Sequence, residues 1–137
     1  MEAKLDEILS VLSNKKINDL FECHAEIIEG EVNILQVIVD DREEFPIYIT
    51  VDESQILCIT HLWHESEVQD GKREELMDAL LTMNIPMPLS AFSKVGDQYI
   101  LFGALSPNSS VDDILHEIDV LSDNTLDAVE ASAEYLK

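Results

Sequence analysis

Four strand-like segments follow one another along the first half of the chain, with only short turns between them. The first begins near Phe21 and alternates apolar with polar residues, which is typical of a strand with one face in water. The second, residues 32–39, is almost continuously apolar, so we expect a central strand covered on both faces. The others are residues 45–51 and 55–63. Strands joined without crossover helices pair antiparallel, so the pattern predicts an antiparallel sheet.

Helical periodicity occurs in three places, and two further strands lie between the second and the third. The helical segments are residues 2–13, the stretch between Gly71 and Asn84, and residues 110–136. Residues 89–95 and 98–105 are strand-like and flank Gly96-Asp97, a pair that favours a two-residue type II′ hairpin. The order α-ββββ-α-ββ-α predicts an α+β fold in one domain, residues 1–137, with helices packed on a mainly antiparallel sheet of about six strands.

The charge of the chain disfavours some classes of partner. Lys and Arg total 8 against 29 Asp and Glu, a formal net charge of -21, which disfavours a surface that binds nucleic-acid phosphates. Hydrophobic residues make up 46% of the chain, which is enough apolar surface to fold despite this charge. Two cysteines are too few for a disulfide framework, and the acidic N-terminus lacks the pattern of an export signal. We therefore expect a cytoplasmic protein that does not insert into a membrane.

Three residues near the end of the fourth strand-like segment suggest a metal site. Cys58, His61 and His64 carry ligand atoms that zinc prefers. On a strand, however, Cys58 and His64 would lie about 20 Å apart, and His61 would point to the other face. A bend could bring the two histidines together, but distant ligands such as His24 or His116 would have to complete the site. Metal binding is therefore an alternative only, and we expect no cofactor and no catalytic residue.

The cysteines and glycines have simpler explanations than chemistry. Cys23 and Cys58 lie at inward-facing strand positions, where a free cysteine acts as a small apolar side chain. The four glycines are scattered, and no glycine-rich phosphate-binding loop is present in the sequence. Gly103 lies inside an apolar strand-like segment, and a glycine there indicates the close approach of another part of the chain. We expect a helix to pack over it.

The last predicted helix contains many acidic residues and no Lys or Arg. Acids in its C-terminal half oppose the helix dipole and repel one another at i, i+4 spacing. A solvated outer face is one explanation, and a surface that attracts a basic partner is the other. The candidate partner-binding residues on this helix are Asp112, Glu117, Asp119, Asp123, Asp127 and Glu130.

Four short sequences in the second half of the chain resemble a known family. They are PLSAF at residues 88–92, YILFGALS at 99–106, HEI at 116–118 and DN at 123–124. Together they resemble the YjfI-like family of bacterial domains of unknown function. The resemblance implies no catalytic residues, and it implies genes located beside those of phage-shock-protein-A-like membrane-remodelling proteins. The element order is also similar to that of type III secretion chaperones and YbjN-like proteins, which are small acidic α+β binding modules.

These observations favour a non-catalytic acidic protein-binding module, an adaptor or chaperone-like protein that acts with a phage-shock-protein-A-like partner. Three alternatives stay open at this stage. The chain could be a metal-binding protein or enzyme that uses His61 and His64. It could be a nucleic-acid mimic that sequesters a basic DNA-binding protein, or a homodimer that associates through the last helix.

Overall fold

The computed structural model describes residues 2–12, 15–16 and 22–137. Within these residues the elements are α1 (Glu2–Leu12), β1 (Lys15–Lys16), β2 (Glu22–Ile28), β3 (Ile34–Val39), β4 (Ile47–Val51), β5 (Ile56–His64), α2 (Arg73–Met83), β6 (Ala91–Val95), β7 (Gln98–Leu105) and α3 (Val111–Ser132). Short 3-10 helices, Glu65–Glu67 and Ala133–Tyr135, follow β5 and α3.

The predicted α+β fold and its order of elements are confirmed. The one addition is β1, which has two residues and is too short to show any periodicity. The predicted last residue of the first helix, residue 13, and the predicted start of the first long strand at Phe21 lie outside the described residues.

In the described part of the chain, the strands form one seven-stranded sheet in the order β1-β2-β3-β4-β5-β7-β6, and every neighbouring pair is antiparallel. The β6–β7 hairpin joins the sheet through β7, which pairs with β5. Val95 pairs with Gln98, so Gly96 and Asp97 form the two-residue loop. Gly96 has a φ of 58°, the positive value that a type II′ turn requires at its first loop position.

One face of the sheet carries the main hydrophobic core, with α1 and α3 packed against it. Alternate side chains of β3, β4 and β5 point into this core: Leu35, Val37, Val39, Ile47, Ile49, Val51, Ile56 and Cys58. The apolar stripes of α1 and α3 cover them with Leu5, Ile8, Leu12, Ile114, Ile118 and Leu121. The expectation that residues 32–39 form a strand covered on both faces is wrong. In β3, Leu35 and Val37 are buried, whereas Ile34 and Ile38 point to the other face and are partly exposed.

A second, smaller core lies near α2, where β5 ends and β7 begins. Its buried members are Trp63, Val68, Leu76, Leu80 and Tyr99. A shift in the pairing of β5 with β7 occurs between His61 and His64, just before the chain leaves the sheet. Residue Leu136 forms an isolated antiparallel bridge with Val68, which fixes the end of the chain to this core.

A charged cluster fixes α2 to the sheet beside this second core. The Tyr99 hydroxyl and the Arg73 guanidinium both donate hydrogen bonds to the Glu65 carboxylate, and the ammonium of Lys94 lies 3.2 Å from it. The bonds from Tyr99 and Arg73 hold the pKa of Glu65 at about 2, so this carboxylate stays ionised. Three separate elements therefore meet at one carboxylate, and we interpret the cluster as structural.

The start of α3 depends on one hydroxyl. Ser110 has extended backbone, and its side chain accepts a hydrogen bond from the backbone N–H of Asp113 at 3.1 Å, which is the geometry of an N-cap. We expect Ser110→Ala to lower the free energy of unfolding by about 1 kcal/mol, measured by urea denaturation. Ser109→Ala, one residue earlier, is the matched control, and an equal loss in both variants would contradict the cap.

Candidate protein-binding surface

The sheet face opposite α1 and α3 is apolar and has no helix packed on it among the described residues. We call it the open sheet face. It comprises the outward side chains of four adjacent strands: Ile34, Gln36 and Ile38 of β3, Tyr48 and Thr50 of β4, Leu57, Ile59 and His61 of β5, and Ile100 and Phe102 of β7. None of these side chains belongs to either described core cluster. Ile100 is buried, at 5% exposure, His61 is exposed, and the other side chains are partly exposed, so the face is a surface although its composition resembles that of a core.

The strand register places the side chains of the open sheet face in rows. Gln36 pairs with Tyr48, Tyr48 with Ile59, and Ile59 with Phe102, so one row crosses four strands. The rings of Tyr48 and His61 lie 5.3 Å apart between centroids and are tilted by 35°. A shallow cavity of about 270 Å³ lies over this part of the face. A contiguous, partly exposed apolar surface of this kind is typical of a binding site for another macromolecule.

The residues of the alternative metal site do not converge. Cys58 points into the main core, whereas His61 lies on the open sheet face and His64 follows the register shift. Among the residues that the structure describes, no group of three or more His, Cys, Asp or Glu side chains could hold a metal ion. The geometry therefore offers no support for the metal alternative.

Both cysteines are buried, as the strand pattern predicts. Burial, and secondarily the nearby Asp40 carboxylate, raises the pKa of the Cys23 thiol to about 11. Burial, and secondarily the Glu117 carboxylate, raises the pKa of the Cys58 thiol further. Because a nucleophilic cysteine reacts as the thiolate, neither thiol is activated at neutral pH.

Five of the six acids proposed for partner binding lie on the outer side of α3 or at its margin. Asp112, Asp127 and Glu130 are exposed, and Asp119 is partly exposed. Asp123 accepts a 2.6 Å hydrogen bond from Arg42, a buried guanidinium that also donates to the Ser122 hydroxyl. Asp123 therefore has a structural role, because it neutralises a buried charge.

Glu117, the sixth of the candidate partner-binding acids, does not lie on the acidic outer surface of α3, contrary to the prediction from sequence. It is only 3% exposed, and its carboxyl lies directly over Gly103 of β7. This arrangement confirms that α3 packs over Gly103. Oxygen Oε1 has no hydrogen-bond partner in the described structure, and burial raises the pKa of the carboxyl, against a smaller opposing effect of His116.

A groove between α2 and β6 is a further apolar cavity beside the sheet. It has a volume of about 180 Å³ and is lined by Met77, Leu80, Leu81, Asn84, Phe92, Ser93, Lys94 and Tyr99. Leu81 at its margin is 72% exposed. At one end of the groove, the side-chain oxygen of Asn84 accepts a hydrogen bond from the backbone N–H of Phe92 at 2.7 Å. This bond uses one of the backbone donors on the outer edge of β6. The groove is therefore smaller than the open sheet face and its edge is partly blocked.

Comparison with known proteins identifies the family. Residues 3–136 match the family described as "Uncharacterized protein conserved in bacteria (DUF2170)". The chain belongs to the DUF2170 family. Two curated relatives are the proteins called "Uncharacterized protein YjfI" of Escherichia coli strain K12 and of Escherichia coli O157:H7. Each is 36% identical over 112 residues, which cover 79% of this chain and 83% of the relative. The resemblance to YjfI-like proteins is therefore confirmed.

Two solved structures show that the fold of this DUF2170 chain occurs elsewhere. One is the crystal structure of the Yersinia pestis type III secretion chaperone SycH in complex with a stable fragment of YscM2. Its matched chain has a TM-score of 0.58 and 16% identity, with 91% of this chain and 96% of that chain covered. The other is the heterodimeric complex ExoU-SpcU from the type III secretion system of Pseudomonas aeruginosa, with a TM-score of 0.54, 15% identity and coverage of 92% and 95%. The likeness concerns the fold.

The helices of this DUF2170 chain give no indication of a membrane span. Among its described residues, no helix is both long enough and apolar enough to cross a bilayer. The most exposed large apolar residues lie at the end of β2 and just after it, on α2, in the segment before β6, on β6 and on α3, whereas the apolar residues of the open sheet face are partly exposed or, at Ile100, buried. Sequence analysis did not identify the open sheet face as a site, although the continuous apolar character of β3 was the signal for it.

Proposed function

We propose that this DUF2170 chain is a non-catalytic protein-binding module, an adaptor or chaperone-like protein, and that its partner docks on the open sheet face. The observation that carries the proposal is an apolar sheet face that spans four strands and has no described element packed against it. Burying apolar side chains of this kind against a partner is favourable by about 25 cal/mol per Å² of surface removed from water. The open sheet face is therefore better suited to docking a partner than to catalysis.

The structural comparisons support this proposal without identifying the partner. The chains of similar fold come from two complexes, SycH with a fragment of YscM2 and ExoU with SpcU. The fold is thus compatible with a protein-binding role, although fold alone does not determine function. The buried and protonated thiols of Cys23 and Cys58 fit a reducing cytoplasm, where we place the protein.

We propose a phage-shock-protein-A-like protein as the partner, following the association implied by the resemblance to YjfI-like proteins. The net charge of -21 would attract a basic region of such a partner and would accelerate its association at low salt. The test is a binding titration of the purified chain with the purified partner at about 50 mM and about 300 mM salt. Saturable binding that weakens with salt supports the proposal, and the absence of binding at low salt refutes this partner.

The exposed acids of α3 remain a proposed contribution to partner binding. They lie on the side of the molecule opposite the open sheet face, so their effect on a partner docked there is a long-range attraction. We expect replacement of Asp112, Asp127 and Glu130 by their amides to slow association by less than about threefold at low salt and to leave dissociation unchanged. Asp123 is left intact because it pairs with Arg42.

The matched control for this variant removes three exposed acids from α2, namely Glu74, Glu75 and Asp78. Association rates measured by stopped flow should be similar in the two triple variants, because both change the net charge by the same amount. A selective loss of about tenfold or more in the α3 variant would instead place the partner in contact with α3.

A further inference from the structure

The open sheet face is bordered by acidic turns at both ends of its strands. From the geometry of this surface we infer that the docked segment of the partner is a basic amphipathic α-helix, with an apolar stripe on the sheet and Lys or Arg near both of its ends. This inference rests on the proposed function and specifies the chemistry and conformation of the segment that is bound.

The acidic border comes from the three loops that connect β2 to β3, β3 to β4, and β4 to β5. Its acids are Glu29, Glu31, Asp40, Asp41, Glu43, Glu44, Asp52 and Glu53. The base in these loops, Arg42, is 8% exposed and points away to Ser122 and Asp123 of α3. Because β2 to β5 form an antiparallel meander, the first and third loops lie at one end of the strands and the second at the other. A basic group at either end of a docked segment would therefore meet negative charge.

The backbone of the face argues for a helix and against an extended peptide. The central strands β3, β4, β5 and β7 each pair with strands on both sides, so their backbone donors and acceptors serve the sheet. An extended segment laid across this face would bury its own N–H and C=O groups without partners, at a cost of about 1–3 kcal/mol for each group. A helix satisfies those groups internally and presents only side chains.

The dimensions of the face also suit one helix. The four strands of the face, β3, β4, β5 and β7, lie side by side and together are about 14 Å wide at about 4.8 Å between neighbours. An α-helix has a diameter of about 10 Å, so one helix fits across this width. β3 has six residues and is about 20 Å long at about 3.3 Å per residue, a length that about 13 helical residues cover. The two ends of such a helix, lying along the strands, would reach the acidic loops.

The same acids disfavour two other occupants of an apolar surface. An anionic bilayer would be repelled, because membrane-binding surfaces carry Lys and Arg around their apolar residues. A second copy of this chain would bring an identical acidic border against the first, and each copy carries a net charge of -21. Juxtaposed like charges of this kind oppose association. A basic partner helix removes the repulsion.

The test uses a synthetic helical peptide of about 18 residues with leucines at i, i+3 and i+4 spacing and lysines on the remaining positions. A second peptide has glutamate in place of every lysine, and a third has the composition of the first in scrambled order. Fluorescence anisotropy gives the dissociation constants. Chemical-shift changes of the backbone amides, followed by NMR on the full chain, give the location. We expect the basic helix to bind at least about tenfold more tightly than either control peptide at low salt, with shifts on β3, β4 and β5.

Two chain variants localise the binding. Ile59→Lys places a cation at the centre of the open sheet face and should weaken binding of the basic peptide by about tenfold or more. Leu81→Lys is the matched control, because it replaces an exposed apolar residue of α2 with the same cation. We expect the dissociation constant of the basic peptide to change by less than about twofold for this variant, apart from the effect of the added positive charge, which both variants share. Circular dichroism checks that both variants are folded.

Several results would overturn the inference. These are equal binding of the acidic peptide, amide shifts confined to α2 or α3, and a self-association of the chain that Ile59→Lys abolishes. Failure of the inference is separable from failure of the proposed function. If the phage-shock-protein-A-like protein binds the chain and loses affinity in Ile59→Lys while the basic peptide does not bind, the proposed function stands and the helix is wrong. If that protein does not bind either, the proposed partner fails as well.

Discussion

Replacing Gly103 by alanine should lower the free energy of unfolding by about 1–3 kcal/mol, the range for an extra methyl group in a packed core. A Cβ at this position would lie 1.6 Å from Oε1 of Glu117 and 2.7 Å from its Cδ. The Glu117 side chain is buried under α3, and the carbonyl oxygen of Leu89 lies 3.3 Å from the same point, so there is little room for adjustment. Urea denaturation at neutral pH measures the loss.

Two further variants separate this steric contact from a general effect of alanine. At Gly30 the nearest atom to a built Cβ is a carbonyl oxygen at 3.6 Å, an ordinary contact, so Gly30→Ala should change stability by less than about 0.5 kcal/mol. In a Glu117→Ala background, Gly103→Ala should cost much less than in the wild type, because the obstacle has been removed. Equal costs in the two backgrounds would show that the Glu117 carboxyl is not what limits residue 103.

The open sheet face shows why the fold was easier to predict than the site. The turns between residues 21 and 63 and the periodicity around Ile114 and Leu121 determined the order of elements correctly. The apolar run of β3 predicted a strand covered on both faces, whereas only the side chains of Leu35, Val37 and Val39 are covered. A strand that is apolar on both faces has the same sequence pattern whether its second face packs against a helix of its own chain or against another molecule. Only the three-dimensional structure separates the two cases.

Glu117 shows the opposite error, in which a charged residue was placed on the surface because of its charge. It lies three residues after Ile114 and four before Leu121, so its position belongs to the buried stripe of α3. The glycine at position 103 of the facing strand was the second signal, because a helix that approaches a strand glycine must bring some side chain into the space. Each observation was available in the sequence, but only the structure showed that the two positions are in contact.

Replacing Glu117 by glutamine should stabilise the protein by about 1–3 kcal/mol at pH 8 and change its stability little near pH 4, because it removes a buried charge without an adequate partner. The residue is 3% exposed, and Oε1 accepts no hydrogen bond in the described structure. Burial raises the pKa of this carboxyl above 4.5, its ordinary value, and the neighbouring His116 opposes the shift only weakly. Urea denaturation of both proteins between pH 4 and pH 8 gives the difference in stability.

The sign of this difference follows from where the proton is held. The folded chain keeps a proton on Glu117 at pH values where the unfolded chain has lost it, so this group destabilises the fold increasingly as pH rises from about 4.5 to its folded pKa, and by a constant amount above that. The Cys58 thiol stays protonated throughout, because burial, and secondarily the Glu117 carboxylate, raises its pKa. Glu130→Gln removes an exposed acid from the same helix and is the matched control, with an expected change below about 0.5 kcal/mol at every pH. If the glutamine variant at position 117 and the wild type lose stability in parallel as the pH rises, the carboxyl must be ionised and compensated in the folded chain.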